Sequence, residues 1–189
     1  MNFNDDIKKA CEVMRAGGVI LYPTDTVWGI GCDATNPEAV KRVYEIKRRE
    51  DSKSMLVLVD SDAKVDLYVK EVPVVAWDLI ELSTKPLTII YDGAKNLAEN
   101  LLASDGSIGI RVTAEEFSKQ LCFRFRKAIV STSANISGAP TPKSFSEISE
   151  EIKNSVDYIV SYRQKEKGGA KPSSIIKMDV KGNIQIIRE

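Results

Sequence analysis

At 189 residues the chain is long enough to bury one sizeable core and too short for two full ones, so 1–189 reads as a single domain. Its hydrophobic fraction is 43%, its charged fraction 29%, and 27 Lys plus Arg balance 27 Asp plus Glu, which excludes a general polyanion binder while leaving room for a local basic patch. No apolar run approaches the roughly 20 residues of a bilayer span, and the polar, acidic start Met1–Asp6 is neither a signal nor a transit peptide, which predicts a cytoplasmic protein. There is no histidine, so Ser-His-Asp and Cys-His mechanisms and histidine-ligated metals are excluded. Cys11, Cys32 and Cys122 form no CxxC pair and indicate neither a disulfide framework nor a zinc site. The chemistry must use carboxylates, hydroxyls, Lys, Arg, backbone groups or a metal held by oxygen.

In chain order, Ile7, Ala10, Cys11 and Met14 stand at helical spacing over 6–16, and Gly17-Gly18 stops that helix. Val19–Tyr22 is a short apolar run ended by Pro23, a buried strand. Residues 24–36 carry no periodicity. Pro37 opens a helix to about Lys47, with either Thr35 and Glu38 as a capping box or Asn36 as the cap. Met55–Val59 reads as a buried strand, 61–69 and 73–82 as helical, and Leu87–Tyr91 and Ser107–Val112 as strands. Thr113–Glu116 has capping-box spacing ahead of a helix carrying Phe117 and Leu121. Ala128–Ser131 is a strand, 133–142 a long polar loop, and Ser144–Glu147 caps a further helix with Ile148 and Ile152 inward. Strands at 157–161, 174–178 and 184–188 follow, the last two joined by a turn at Gly182-Asn183 that predicts a terminal antiparallel hairpin. Strands interleave with helices early and cluster late, which predicts an α/β fold with a twisted mixed sheet flanked by helices.

Four polar segments adjoin these strands. Pro23-Thr24-Asp25-Thr26-Val27-Trp28-Gly29-Ile30-Gly31 follows a buried strand, where open α/β sheets place ligands; its hydroxyls equally suit turn capping. Lys47–Lys53 holds four cations in seven positions and suits a phosphate clamp or a solvated helix end. Ser107, Gly109 and Arg111 share one face of a strand, either a ligand floor or a face covered by a helix. Ser131–Pro142 carries hydroxyls at a density that exceeds turn chemistry and suits phosphate or carboxylate, though a surface Ω-loop is the plain alternative and no Walker motif is present. Cys122–Lys127 interleaves aromatics and cations, compatible with nucleic-acid stacking or with a helix end entering a strand.

Taken in order, PTDTVWGIG, K-x-R, PLT, IGIR, STSANISG, PSSI and a final IIR resemble the YrdC-like threonylcarbamoyl-AMP synthase family from about Gly17 to Arg188. The resemblance implies a YrdC-like fold with a concave cationic surface, in the short, single-domain form. It implies a nucleotidyltransferase that joins L-threonine, bicarbonate and ATP into threonylcarbamoyl-AMP and pyrophosphate for tRNA threonylcarbamoyladenosine modification. The implied partners are ATP, L-threonine, bicarbonate, RNA or tRNA and the downstream tRNA threonylcarbamoyltransferase proteins, with no membrane. Mg²⁺ is implied as a passenger on the ATP phosphates, with no protein metal ligand.

Residue by residue, Lys47, Arg49 and Arg111 resemble the catalytic cations. Thr26, Arg111, Ser131 and Ser173 resemble the threonine-binding residues. Arg49, Lys53, Ser107, Ser133, Asn135, Thr141 and Arg188 resemble the ATP-binding ones. Glu50 stands where the family has a proline, Ser54-Met55 where it has Pro-Leu, and Ser83-Thr84-Lys85 where it has Trp-Pro-Gly. A non-catalytic RNA-binding, translation-associated module and a YciO-like paralogue are the alternatives. The intact Ser-Ala-Asn loop and Thr26 favour the synthase.

Overall fold

The computed structural model describes residues 2–49, 54–168 and 171–189. The chain folds as a mixed α/β structure around one nine-stranded sheet. Its strands are β1 (Ile20–Tyr22), β2 (Gly29–Gly31), β3 (Leu56–Val59), β4 (Leu87–Tyr91), β5 (Ile108–Val112), β6 (Ile129–Ser133), β7 (Tyr158–Ile159), β8 (Ser174–Met178) and β9 (Ile184–Arg188). They lie in the order β7-β1-β2-β6-β3-β5-β4-β8-β9. The pairs β1–β7, β3–β5 and β4–β8 are parallel and the rest antiparallel. The helices are α1 (Phe3–Arg15), α2 (Pro37–Lys47), α3 (Val74–Leu82), α4 (Glu116–Phe125) and α5 (Glu150–Ser155). Among the described residues no helix is long and apolar enough to cross a membrane.

Local signals account for much of this. α2 begins at Pro37 and ends at Lys47, and of the two possible caps the structure uses Asn36, whose Oδ1 accepts from the N–H groups of Glu38 (3.0 Å) and Ala39 (3.2 Å). Thr35 instead donates its hydroxyl to Asp33. The hairpin β8–β9 forms as expected, and Asp179 gathers its turn by accepting from the N–H groups of Lys181 and Asn183.

Three expectations need correction. The cap of α4 is Glu115, whose carboxylate accepts from Phe117 N and Ser118 N, while Thr113 shares its hydroxyl with Ser118; a carboxylate at a helix N-terminus also meets the positive end of the dipole. The residues 145–147 make only a 3₁₀ turn, and α5 is capped by Ser149. The stretch 24–36 contains β2, three residues with two glycines and too short to show a period. Gly31 is required there by close approach, since a Cβ would stand 2.6 Å from both the Tyr22 ring and the Val130 carbonyl oxygen.

The two faces of the sheet separate by alternation. Ile89, Ile110 and Val112 point to one face and build core, whereas Thr88, Ile90, Gly109 and Arg111 point to the other and border a cavity. α1 and α4 pack on each other, with Phe3 edge-on to Phe117 at 5.5 Å. β9 is exposed along its whole length and, among the described residues, pairs with β8 alone.

Candidate active site

The cavity on the polar face holds about 290 Å³. Four chain segments converge on it: the stretch after β1 brings Thr26, the end of α2 brings Arg49, the centre of β5 brings Gly109 and Arg111, and β6 brings Ser131, Thr132 and Ser133. Thr141, Ser173 and Arg188 close the other side. Gly109 makes the floor low, since a Cβ there would stand 3.3 Å from Leu56 Cβ and from Thr88 Cγ2.

Arg49 enters the cavity because α2 ends in a left-handed residue. Arg48 sits at φ 48°, ψ 44°, and the Arg49 N–H turns back to the Tyr44 carbonyl. That turn splits the run of cations. Arg48 points outward to Glu151 at 2.6 Å. Arg49 points inward and donates to the Ser54 carbonyl at 2.9 Å, with burial lowering its pKa. Lys47, on the buried face of α2, lies behind the cavity wall and not in it: its ammonium donates to the carbonyls of Ser133 (2.5 Å) and Asn135 (2.7 Å). Burial, with Arg49 nearby, lowers its pKa to about 8. Lys53 lies outside the described residues.

Arg111 is the floor's charged centre. Its side chain is 4% exposed, its Nη2 stands 3.0 Å from Asp25 Oδ1 and donates to Thr26 Oγ1 at 3.3 Å, and its Nε is buried without a partner. Thr26 Oγ1 also shares a hydrogen bond with Thr24 Oγ1. On the far wall Ser173 is buried, its hydroxyl 2.9 Å from Thr88 Oγ1, and Arg188 donates twice to the Ser173 carbonyl. Burial and the Arg111 charge together lower the Arg188 pKa.

The structure therefore gathers Thr26, Arg49, Arg111, Ser131, Ser133, Thr141, Ser173 and Arg188 into one cavity wall. Two further expected residues stand outside that lining. Asn135 shapes the loop after β6 through bonds from Nδ2 to the carbonyls of Ile136 and Ala139. Ser107 lies before β5, where its N–H bonds Asp105 Oδ1; the strand is too long for both of its ends to reach one small cavity. Sequence reasoning assigned no role to Asp25 or Thr88. The signal for Asp25 was its place between two threonines directly after a buried strand.

The Sua5_yciO_yrdC family model, described as "Telomere recombination", matches residues 12–189. The chain belongs to this family. A curated member from Pseudoalteromonas translucida (strain TAC 125), named threonylcarbamoyl-AMP synthase, is 32% identical over 187 residues, 97% of this chain and 98% of its own. Among solved members, the H234A/Y235A form of P. abyssi Sua5 superposes with a TM-score of 0.87 at 25% identity, and this chain spans 57% of its length. P. abyssi Sua5 complexed with L-threonine gives a TM-score of 0.81 at 26% identity, covering 91% of this chain and 50% of that one.

Proposed function

We propose that this protein forms threonylcarbamoyl-AMP and pyrophosphate from L-threonine, bicarbonate and ATP. The observation that carries the reading is Arg111, a buried guanidinium whose Nε has no partner among the described residues, at the floor of a cavity whose polar lining is hydroxyls and two more guanidiniums. A planar donor fork suits an amino-acid carboxylate, and arginines at the rim suit phosphates. The curated relatives named threonylcarbamoyl-AMP synthase and the Sua5 complex with L-threonine support the same reading.

In this reading Arg111 holds the threonine carboxylate and Thr26 and Ser131 meet its hydroxyl. Arg49, Lys53 and Arg188 neutralise the phosphates, with Ser133 and Thr141 orienting them, and Ser173 joins Thr26 and Ser131 in binding threonine. Lys47 and Asn135 act indirectly, by fixing the loop after β6. The amine and bicarbonate condense to a carbamate with loss of water. A carbamate oxygen then attacks the α-phosphorus, and the bond to the bridging oxygen breaks as pyrophosphate leaves. Among the described residues the lining has no carboxylate, so these residues orient the reactants, neutralise charge and exclude water from a labile intermediate. The same lining suits a Mg²⁺ held by phosphate and water oxygens, which supplies further charge neutralisation when bound. The product's acceptor is tRNA, by way of separate threonylcarbamoyl-transferring proteins.

Pyrophosphate release tests the proposal. It is expected only when ATP, L-threonine and bicarbonate are all present. Equal release with threonine or bicarbonate omitted would overturn it.

A further inference from the structure

Asp25 has no part in the roles above. It does not line the main cavity; it borders a second cavity of about 200 Å³ on the opposite face of the sheet and reaches Arg111 from behind. The side chains are 9% and 4% exposed, and Asp25 Oδ1 stands 3.0 Å from Arg111 Nη2 as an ion pair without hydrogen-bond alignment. Thr26 meets the same nitrogen, while Nε is buried with no partner. An arginine stem is flexible and its fork is useful only in one plane. The Thr26 bond sets that plane, the Asp25 charge holds the nitrogen in place, and the remaining donors are left for a ligand. A buried guanidinium without a counter-charge would also be costly and would turn toward solvent or phosphate.

We propose that Asp25 is the positioning residue for Arg111: its charge holds Nη2 from behind the cavity floor through a buried ion pair and thereby sets the affinity for the amino-acid carboxylate without touching the substrate. The identity of the ligand rests on the functional reading above; the anchoring itself does not.

Asp25 has two opposed effects. Its charge weakens the attraction of Arg111 for a second carboxylate, while the ion pair it makes holds the guanidinium in place. Asp25→Asn keeps the oxygen and removes the charge, and Asp25→Ala removes both. Calorimetric binding of L-threonine and of ATP to the full chain should show Asp25→Ala binding threonine about tenfold or more weakly, as one partner of a buried ion pair is removed, with ATP changed by less than about twofold. Asp25→Asn, which removes the charge that makes the ion pair, should weaken threonine in the same direction and leave ATP within about twofold. Unchanged threonine binding in Asp25→Ala, or equal losses for threonine and ATP, would overturn the proposal.

Should Asp25→Ala fail to fold, Asp25→Glu takes its place. One added methylene displaces the anchor and should also weaken threonine alone, and wild-type affinity in that variant would overturn the proposal. A ligand-free measurement separates this inference from the functional reading. The Arg111 guanidinium N–H resonances should show hindered rotation in wild type. That hindrance should be lost in Asp25→Ala, or in Asp25→Glu where Asp25→Ala does not fold, whatever the cavity binds. Free rotation in wild type would overturn the anchor even if threonine binds.

Discussion

Asp6 and Asp25 are both buried aspartates, and they titrate in opposite directions. Burial pushes Asp6 up, but Ser161, Tyr158 and Tyr162 donate to it, and together those bonds hold its carboxyl below the ordinary value. The four donors are the Tyr158 hydroxyl at 2.6 Å, the Ser161 N–H at 3.0 Å and hydroxyl at 2.6 Å, and the Tyr162 N–H at 3.0 Å. Burial also pushes Asp25 up, and the Arg111 charge only partly offsets it, so its carboxyl stays raised. A carboxylate saturated by neutral donors ties α1 to the segment around β7. A carboxylate with one charged partner holds that partner ready for something else. Saturation by donors, more than burial, separates a structural acid from one that serves a site.

The largest effect should come from breaking the structural acid. Asp6→Ala orphans four donors at about 1 kcal/mol each, so denaturant unfolding should show a loss of about 4 kcal/mol. Ligand affinity of the molecules that remain folded should be unchanged. A loss below about 1 kcal/mol would mean water replaces the carboxylate at no cost. Because the folded-state pKa of Asp6 lies below its unfolded value, its contribution is fully present above the ordinary carboxylate range and fades as pH falls through the folded value. The stability gap between wild type and Asp6→Asn should therefore be flat from about pH 7 to 5 and narrow below about pH 4.

The site's arginines come next. Arg49→Ala should weaken ATP use by about 10- to 150-fold while leaving threonine affinity nearly intact, read from steady-state kinetics with ATP varied. Arg111→Lys keeps the charge and loses the fork. Calorimetry should show threonine binding weakened by about tenfold or more with ATP binding little changed. Equal loss of both ligands would reduce Arg111 to the other half of a structural ion pair. The smallest effect belongs to the floor. Gly109→Ala puts a methyl against Leu56 and Thr88 and should cost about 1 kcal/mol of stability and a few-fold in ligand affinity, measured by thermal unfolding and the same calorimetry.

How much of this was legible in the sequence depends on how local each signal is. The bounds of α2, with its Asn36 cap and Pro37 start, and those of β8 and β9 with the turn between them, follow from residues within a few positions of one another. β2 was not legible, because its three residues are strand only through pairing with β1 and β6. The cap of α4 was misread because Thr113 offered a motif and Glu115 offered a better-placed carboxylate. Within the site, alternation along β5 put Gly109 and Arg111 together. It could not show that Ser107, at the same parity, lies outside the cavity lining, or that Lys47 turns behind the wall. The pairing of Asp25 with Arg111 joins residues from distant segments, and no local pattern encodes it.

β9 carries Arg188 into the cavity yet, among the described residues, pairs with β8 alone, has an irregular register at Ile175/Ile176 and leaves Ile184, Ile186 and Ile187 about half exposed. Edge strands open locally at a fraction of the global unfolding free energy. One wall of the cavity is thus hung on an edge of the sheet, where amide hydrogens are expected to exchange more readily than at its centre. A ligand that needs Arg188 docked adds its binding free energy to the closing of that strand. Occupancy of the site is accordingly written into the exchange protection of residues 184–188, where solvent, and not substrate, is the other reader.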